Sequence, residues 1–271
     1  MFSKLLKRRV PVRAPVFPTV PEGTVVWSIG DIHGRLDLLV PLVEEIRTDL
    51  ADTTAQRKVV VFLGDYIDRG PQSREVIQLL VGLARDSEIE WRFLKGNHEE
   101  AILKFLENPT DGGKWCEYGG DATLRSYGLR IPQVLHRAEM WEHLAADLNH
   151  KVTVEERTFL EGLELSVSIG DYFFAHAGAR PGELLERQTA SDLMWIRRTF
   201  LDSELEFERV VVHGHTPVSE VYLDHRRIGI DTKAYESGVL SALRLSGSDR
   251  QIRQCVDGVL RTLAVTPPSL S

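Results

Sequence analysis

Five short apolar runs along the chain each end abruptly in a polar cluster containing glycine or histidine. Val25-Val26-Trp27-Ser28-Ile29 leads into Gly30-Asp31, and Val59-Val60-Val61-Phe62-Leu63 into Gly64-Asp65. Trp91-Arg92-Phe93-Leu94 precedes Gly96-Asn97, Tyr172-Phe173-Phe174-Ala175 precedes His176, and Val210-Val211-Val212 precedes His213-Gly214-His215. Length and β-branched or aromatic content predict buried strands, and the glycines permit the tight turns that end them. Helical patterns over 36–50 and 71–85 separate the first three runs, with Pro71 suited to a first helical turn. Residues 99–165 read as a helical insertion, broken at Gly112-Gly113 and Gly119-Gly120. Further strands are expected at 221–223, 228–230 and 239–245, with a turn at Asp224-His225. An alternating start followed by a strand-rich end predicts an α/β (α+β) fold of two packed mixed β-sheets flanked by helices.

A chain of 271 residues fits one large domain, expected over 23–248. Residues 1–22 carry Lys4, Lys7, Arg8, Arg9 and Arg13 among prolines and read as a disordered basic arm, while 249–271 read as a C-terminal tail. The arm lacks the unbroken apolar stretch of ~7–15 residues of a secretory signal, and no run reaches the ~20 of a membrane span. A cytoplasmic location without integral membrane association is therefore expected. Cys116 and Cys255 fit neither a disulfide framework nor a thiolate metal site, and read as free thiols. The net charge of -7 offers no general attraction to a phosphate backbone, which argues against nucleic acid as a partner.

The strand ends deliver Asp31 and His33, then Asp65 with Asp68 and Arg69, then Asn97 and His98, then His176, and last His213 and His215. In open sheets the carboxyl ends of strands converge on one crevice, so these loops can meet at a common point. Carboxylate, amide oxygen and imidazole without thiolate suit manganese, iron, zinc or nickel. Six ligands exceed what one open catalytic ion takes and suit two, with Asp65 bridging ions ~3.5–4 Å apart. Paired dications lower the pKa of a bound water toward ~7 and so make hydroxide available as a nucleophile.

Gly30-Asp31-Ile32-His33-Gly34, Gly64-Asp65-Tyr66-Ile67-Asp68-Arg69-Gly70 and Gly96-Asn97-His98-Glu99 together resemble the phosphoprotein phosphatases of the calcineurin-like metallophosphoesterase superfamily. His176-Ala177-Gly178 and Gly214-His215-Thr216-Pro217 are similar to the remaining metal motifs of its bacterial and phage members. The resemblance runs from about Val25 to Leu245, loosely in the insertion, and implies the calcineurin-like metallophosphoesterase fold. It implies two divalent ions, manganese first, with Asp31, His33 and Asp65 on one and Asp65, Asn97, His176 and His215 on the other. It pairs His98, as general acid, with Asp68, and gives Arg69 the phosphate, which a guanidinium can grip through two oxygens. A second phosphate-binding arginine is expected from Trp195-Ile196-Arg197, with Arg198 as the alternative. His213 precedes the motif glycine and reads as structural or as support for a ligand. His136, His143, His150 and His225 read as solvated, and Gly119-Gly120-Asp121, though similar to a stretch in the same relatives, is assigned no chemistry.

The resemblance implies a serine/threonine protein phosphatase acting on phosphorylated protein or peptide. The first alternative is a symmetrical dinucleoside-tetraphosphate hydrolase, whose members usually lack the carboxylate at Asp68 and carry Asp at Glu99. An inactive phosphate-binding scaffold is the alternative of another class, and it predicts a damaged ligand set. Pro217 stands where nucleases and diesterases often carry a further histidine. Relatives commonly have glycine at Lys233, so either a positive-φ turn there is strained or the turn has another shape.

Overall fold

The protein is described here as a computed structural model, which covers residues 17–131 and 138–263. Its first sheet contains β1 (Thr24–Ile29), β2 (Arg57–Phe62), β3 (Glu90–Phe93), β9 (Val239–Ser246), β10 (Asp249–Val256) and β11 (Val259–Leu263), in the order β11-β10-β9-β1-β2-β3. The second contains β4 (Ser166–Ile169), β5 (Tyr172–Ala175), β6 (Val210–His213), β7 (Tyr222–Leu223) and β8 (Arg227–Gly229), in the order β4-β5-β6-β8-β7. Both are mixed. β1, β2 and β3 are parallel, as are β5, β6 and β8, while the outer partners run antiparallel.

The period-two alternation of these strands sorts side chains between two apolar layers. Val60 and Phe62 of β2 face helices α1 (Leu36–Asp52) and α2 (Ser73–Leu83), in one cluster with Trp27, Leu42 and Leu80. Val59, Val61 and the following Leu63 face the other way and pack with Phe174, Val210 and Val212 of the second sheet. Phe173 and Val211 point outward from that sheet, onto Leu193 of α8 (Ala190–Trp195) and Phe200 of α9 (Arg198–Leu201). The result is helix, sheet, sheet, helix, as the hydrophobic pattern implies.

Residues 97–161 form α3 (Asn97–Glu107), α4 (Gly112–Trp115), α5 (Asp121–Ser126), α6 (Ala138–Lys151) and α7 (Val154–Glu161), with a π-helical stretch over 116–120. A tenth helix, α10 (Ala234–Ser237), is one turn long. Among the described residues no helix is long and apolar enough to cross a membrane.

Three expectations change. Pro71 lies in the turn before α2 rather than in its first turn. The expected tail over 249–271 is ordered sheet as far as Leu263, because Ile252 and Cys255 of β10 are buried against the core. Polar residues interrupt both strands, which hid them. The expected arm over 1–22 is anchored from Thr19 onward: the Thr19 N–H donates to Asp171 over 2.9 Å and Val20 is buried. Residues 1–16, with the five basic residues, and His136 lie outside the described residues.

Candidate active site

The parallel strands bring their carboxyl ends to one edge, where the loops lock into each other. The Asp65 carbonyl accepts the N–H groups of Ile32 and His33 at 3.1 and 2.9 Å, and the His33 carbonyl accepts the N–H of Gly70 at 3.1 Å. Gly96 passes so close to Asp65 that an added Cβ would lie 2.5 Å from its backbone nitrogen, so only glycine fits. Seven described non-glycine residues take positive φ, and six lie in these loops or beside them: His33, Asp65, Asp68, Arg69, His215 and Lys233. Left-handed backbone costs non-glycine residues roughly 1–3 kcal/mol each, and such strain concentrates at functional sites. Of the two alternatives at Lys233 the turn adopts the left-handed one (φ 59°), held by a 2.8 Å bond from its N–H to Asp231.

Two groups of buried donor atoms converge, each within 4.8 Å: His33, Asp65 and His98, and Asp65, His176 and His215. Asp65 belongs to both, with Oδ2 3.6 Å from His33 Nε2 and Oδ1 3.3 Å from His176 Nε2. His176 Nε2 also lies 3.1 Å from Asn97 Oδ1 and 3.2 Å from His215 Nδ1. The opposite ring nitrogens are spoken for: His33 Nδ1 bonds the Ile67 carbonyl and His176 Nδ1 the Leu63 carbonyl, both at 2.8 Å. That leaves each Nε2 lone pair directed inward, as a metal-binding imidazole requires. Asp31 is beside this point, and its carboxylate accepts the His215 N–H at 3.0 Å. His213 is in neither group. Its Nδ1 donates to the Gly214 carbonyl at 3.0 Å, and its Nε2 faces Arg227 at 3.3 Å.

The charges tell the same story. Burial, then Asp231 and Asp65, push the Asp31 carboxyl well above the usual range, and burial raises Asp231 to about 6. Burial opposes the charge on Asp65 as well, but His176, His98 and His33 outweigh it and hold that carboxyl well below its ordinary value. Burial and His98 lower His33 to about 3, so its ring is neutral, the form that can bind a metal. Crowded buried carboxylates facing bare imidazole nitrogens are a donor set suited to divalent cations.

His98 is placed differently. Its Nδ1 lies 2.6 Å from Asp68 Oδ2 and its Nε2 lies 3.5 Å from an Arg69 guanidinium nitrogen, at the N-terminus of α3. Burial opposes a charge on the ring, yet Asp65 and the Asp68 contact prevail and raise it to about 9. Arg197 is exposed at the start of α9, and its charge helps lower the His215 pKa. Arg198, the next residue, is exposed too.

Beyond the motif geometry, the family described as calcineurin-like phosphoesterase matches residues 24–240. The chain belongs to that family. It is 27% identical over 236 residues to the asymmetrical bis(5'-nucleosyl)-tetraphosphatase PrpE of Bacillus subtilis, covering 80% of this chain and 88% of PrpE. It is 25% identical over 229 residues to serine/threonine-protein phosphatase 2 of Escherichia coli, covering 81% and 92%. The cold-active protein-tyrosine phosphatase of a Shewanella species shares the fold, with a TM-score of 0.54 and 18% identity over 91% of this chain and 83% of that one. This calcineurin-like phosphoesterase is therefore a hydrolase with phosphoprotein-phosphatase-type motifs and a metal-binding cluster of the family's kind.

Several residues around the site were assigned no role from the sequence. Glu99 is fully buried and accepts the N–H groups of Asp65, Tyr66 and Gly96 at 2.8–2.9 Å, fixing the loop that carries Asp65. Trp115 Nε1 and Thr123 Oγ1, from the insertion, donate to the Asp68 carboxylate at 2.8 and 2.5 Å. Gly119, at φ 105°, accepts the Arg69 N–H at 3.0 Å, and a Cβ there would lie 2.6 Å from Arg69 Cγ. Gly119, set aside in the sequence, thus cradles Arg69, while Gly120 packs against Trp115. His143 and His150 cap carbonyls of their own helix and His225 is exposed, away from the donor groups.

Proposed function

We propose that this protein is a metal-dependent phosphomonoesterase that dephosphorylates phosphoserine and phosphothreonine in proteins or peptides. The observation that carries the reading is the buried Asp68–His98 contact of 2.6 Å beside Arg69. A serine or threonine alkoxide is a poor leaving group and needs a proton as its bond to phosphorus breaks. Asp68 fixes the His98 ring through Nδ1 and favours the imidazolium, leaving the Nε2 proton for the departing oxygen. Arg69, which makes no ion pair among the described residues, can bind two phosphate oxygens, and Arg197, exposed at the start of α9 and close enough to His215 for its charge to be felt, is the candidate for a second contact.

Asp31, His33 and Asp65 would hold one divalent ion and Asp65, Asn97, His176 and His215 the other, with manganese as the first candidate. Such ions supply charge neutralisation for the phosphate and acidify a water for attack. The complete donor set argues against a scaffold that only binds phosphate.

The second reading, hydrolysis of a dinucleoside tetraphosphate, is supported by the activity named for PrpE, although that name is of an asymmetrical hydrolase and not of the symmetrical kind expected from the sequence. An anhydride leaves as a weak base and gains less from a general acid. Comparing kcat/KM of manganese-loaded protein on phosphoserine, phosphothreonine and phosphotyrosine peptides with that on a dinucleoside tetraphosphate separates the two. Preference for the phosphoserine or phosphothreonine peptide is expected, and preference for the tetraphosphate would replace the substrate class.

A further inference from the structure

Tyr235 has no counterpart in the motifs, yet it stands against two of the residues assigned above. The Arg69 guanidinium carbon lies 4.5 Å from the centre of the Tyr235 ring, and the same ring makes a T-shaped contact with His33, centroids 5.3 Å apart at 85°. We infer that Tyr235 is a positioning residue that holds the Arg69 guanidinium in its phosphate-binding orientation through the face of its ring.

Arg69 has few other restraints. Its backbone is left-handed at φ 68° and tied to Gly119, but along the side chain the polar contacts are two long ones, Nε to the Tyr118 carbonyl at 3.4 Å and one terminal nitrogen to His98 Nε2 at 3.5 Å. No ion pair among the described residues fixes its terminal nitrogens. An arginine loses considerable rotamer entropy when it is immobilised on a ligand, so a group that fixes it beforehand strengthens binding. A guanidinium stacks on an aromatic face and keeps the edge nitrogens free for phosphate.

The platform under Tyr235 is well braced. Helix α10 starts from Lys233 in its left-handed turn, held by Asp231. Arg35, just after the Asp31–Gly34 turn, donates through Nη1 to the Ala234 carbonyl at 2.6 Å, and Ser237 Oγ donates to the Thr232 carbonyl at 2.6 Å. A one-turn helix pinned at both ends thus presents the ring, half-buried, between the first and second motif loops.

The inference rests on the reading of Arg69 as the phosphate ligand, and the test separates the two. Binding of inorganic phosphate to manganese-loaded protein is measured by calorimetry for the wild type, Tyr235→Leu, Tyr235→Phe, Arg69→Ala and Arg69→Ala/Tyr235→Leu, with metal content measured on each. Tyr235→Leu is expected to weaken phosphate binding roughly five- to thirty-fold with metal content unchanged. Tyr235→Phe keeps the ring and should recover most of the affinity, and Tyr235→Leu should add nothing to Arg69→Ala. Unchanged affinity in Tyr235→Leu, a Phe variant as weak as the Leu variant, or additive losses in the double variant would overturn the inference. Unchanged affinity in Arg69→Ala would instead overturn the assignment of Arg69.

Discussion

The indole N–H of Trp115 donates to Asp68 Oδ2 over 2.8 Å, the same oxygen that lies 2.6 Å from His98 Nδ1. A tryptophan from the helical insertion therefore shares the carboxylate that orients the proposed acid. Trp115→Phe removes one charge-assisted hydrogen bond while keeping most of the packing. Such bonds contribute roughly 1.5–3 kcal/mol, so urea unfolding should report a loss of that order. Turnover of phosphoserine peptide should fall while metal content stays constant.

Asp68→Asn should act on the pH profile. Burial opposes the His98 charge, and Asp65 and Asp68 together overcome it to give a value of about 9, so the ring is protonated at neutral pH and loses its proton as pH rises. Without the Asp68 charge that proton leaves at lower pH. The basic limb of kcat/KM on phosphoserine peptide is expected to move downward, while turnover of 4-nitrophenyl phosphate, whose leaving group needs no acid, changes less. An unmoved limb would contradict the dyad.

Glu99→Gln tests the brace under Asp65. The carboxylate accepts three backbone N–H groups, whereas an amide offers one acceptor oxygen and turns an NH2 toward the rest. Each buried donor left unsatisfied costs about 1–3 kcal/mol. The variant should unfold at lower urea and bind metal more weakly, both measurable on one preparation.

His213 gives a stability signature distinct from the site chemistry. Burial lowers its pKa to about 4 from the ordinary 6.5. The unfolded chain therefore binds a proton that the folded chain does not, so this contribution is complete above pH 6.5 and is lost as pH falls toward 4. The full loss from this one group is on the order of 3 kcal/mol at 1.36 kcal/mol per unit. Urea titrations of metal-free protein across that range should show a shallower pH slope for His213→Gln.

Much of this was legible in the sequence because the site is written at strand ends. Asp31, His33, Asp65, Asn97, His176 and His215 each follow a short apolar run of the kind that forms a buried strand, so strand and candidate ligand announce each other. His98 and Asp68 stand in the same loops, and their pairing was suggested by the motif resemblance. What stayed hidden are contacts made by residues distant in sequence. Trp115 and Thr123 reach Asp68 across 47 and 55 residues, and nothing in a tryptophan or threonine on a helix marks that bond. Tyr235 reads as an ordinary aromatic until α10 sets it over Arg69, and Glu99, visible as a motif residue, shows its bracing role only when its three N–H partners appear. Strands β10 and β11 were missed because their outward residues are charged or polar and break the apolar runs.

The most direct measurement of the central claim is the metal content of purified protein by elemental analysis, for the wild type and for Asp65→Asn, after loading with manganese and removal of free ions. Asp65 offers one oxygen to each donor group, so the account predicts two ions per wild-type chain, and in the variant the loss of bound metal together with nearly all hydrolysis. A wild type that hydrolyses phosphate esters with one ion or none, or an Asp65→Asn variant that retains two, would contradict it.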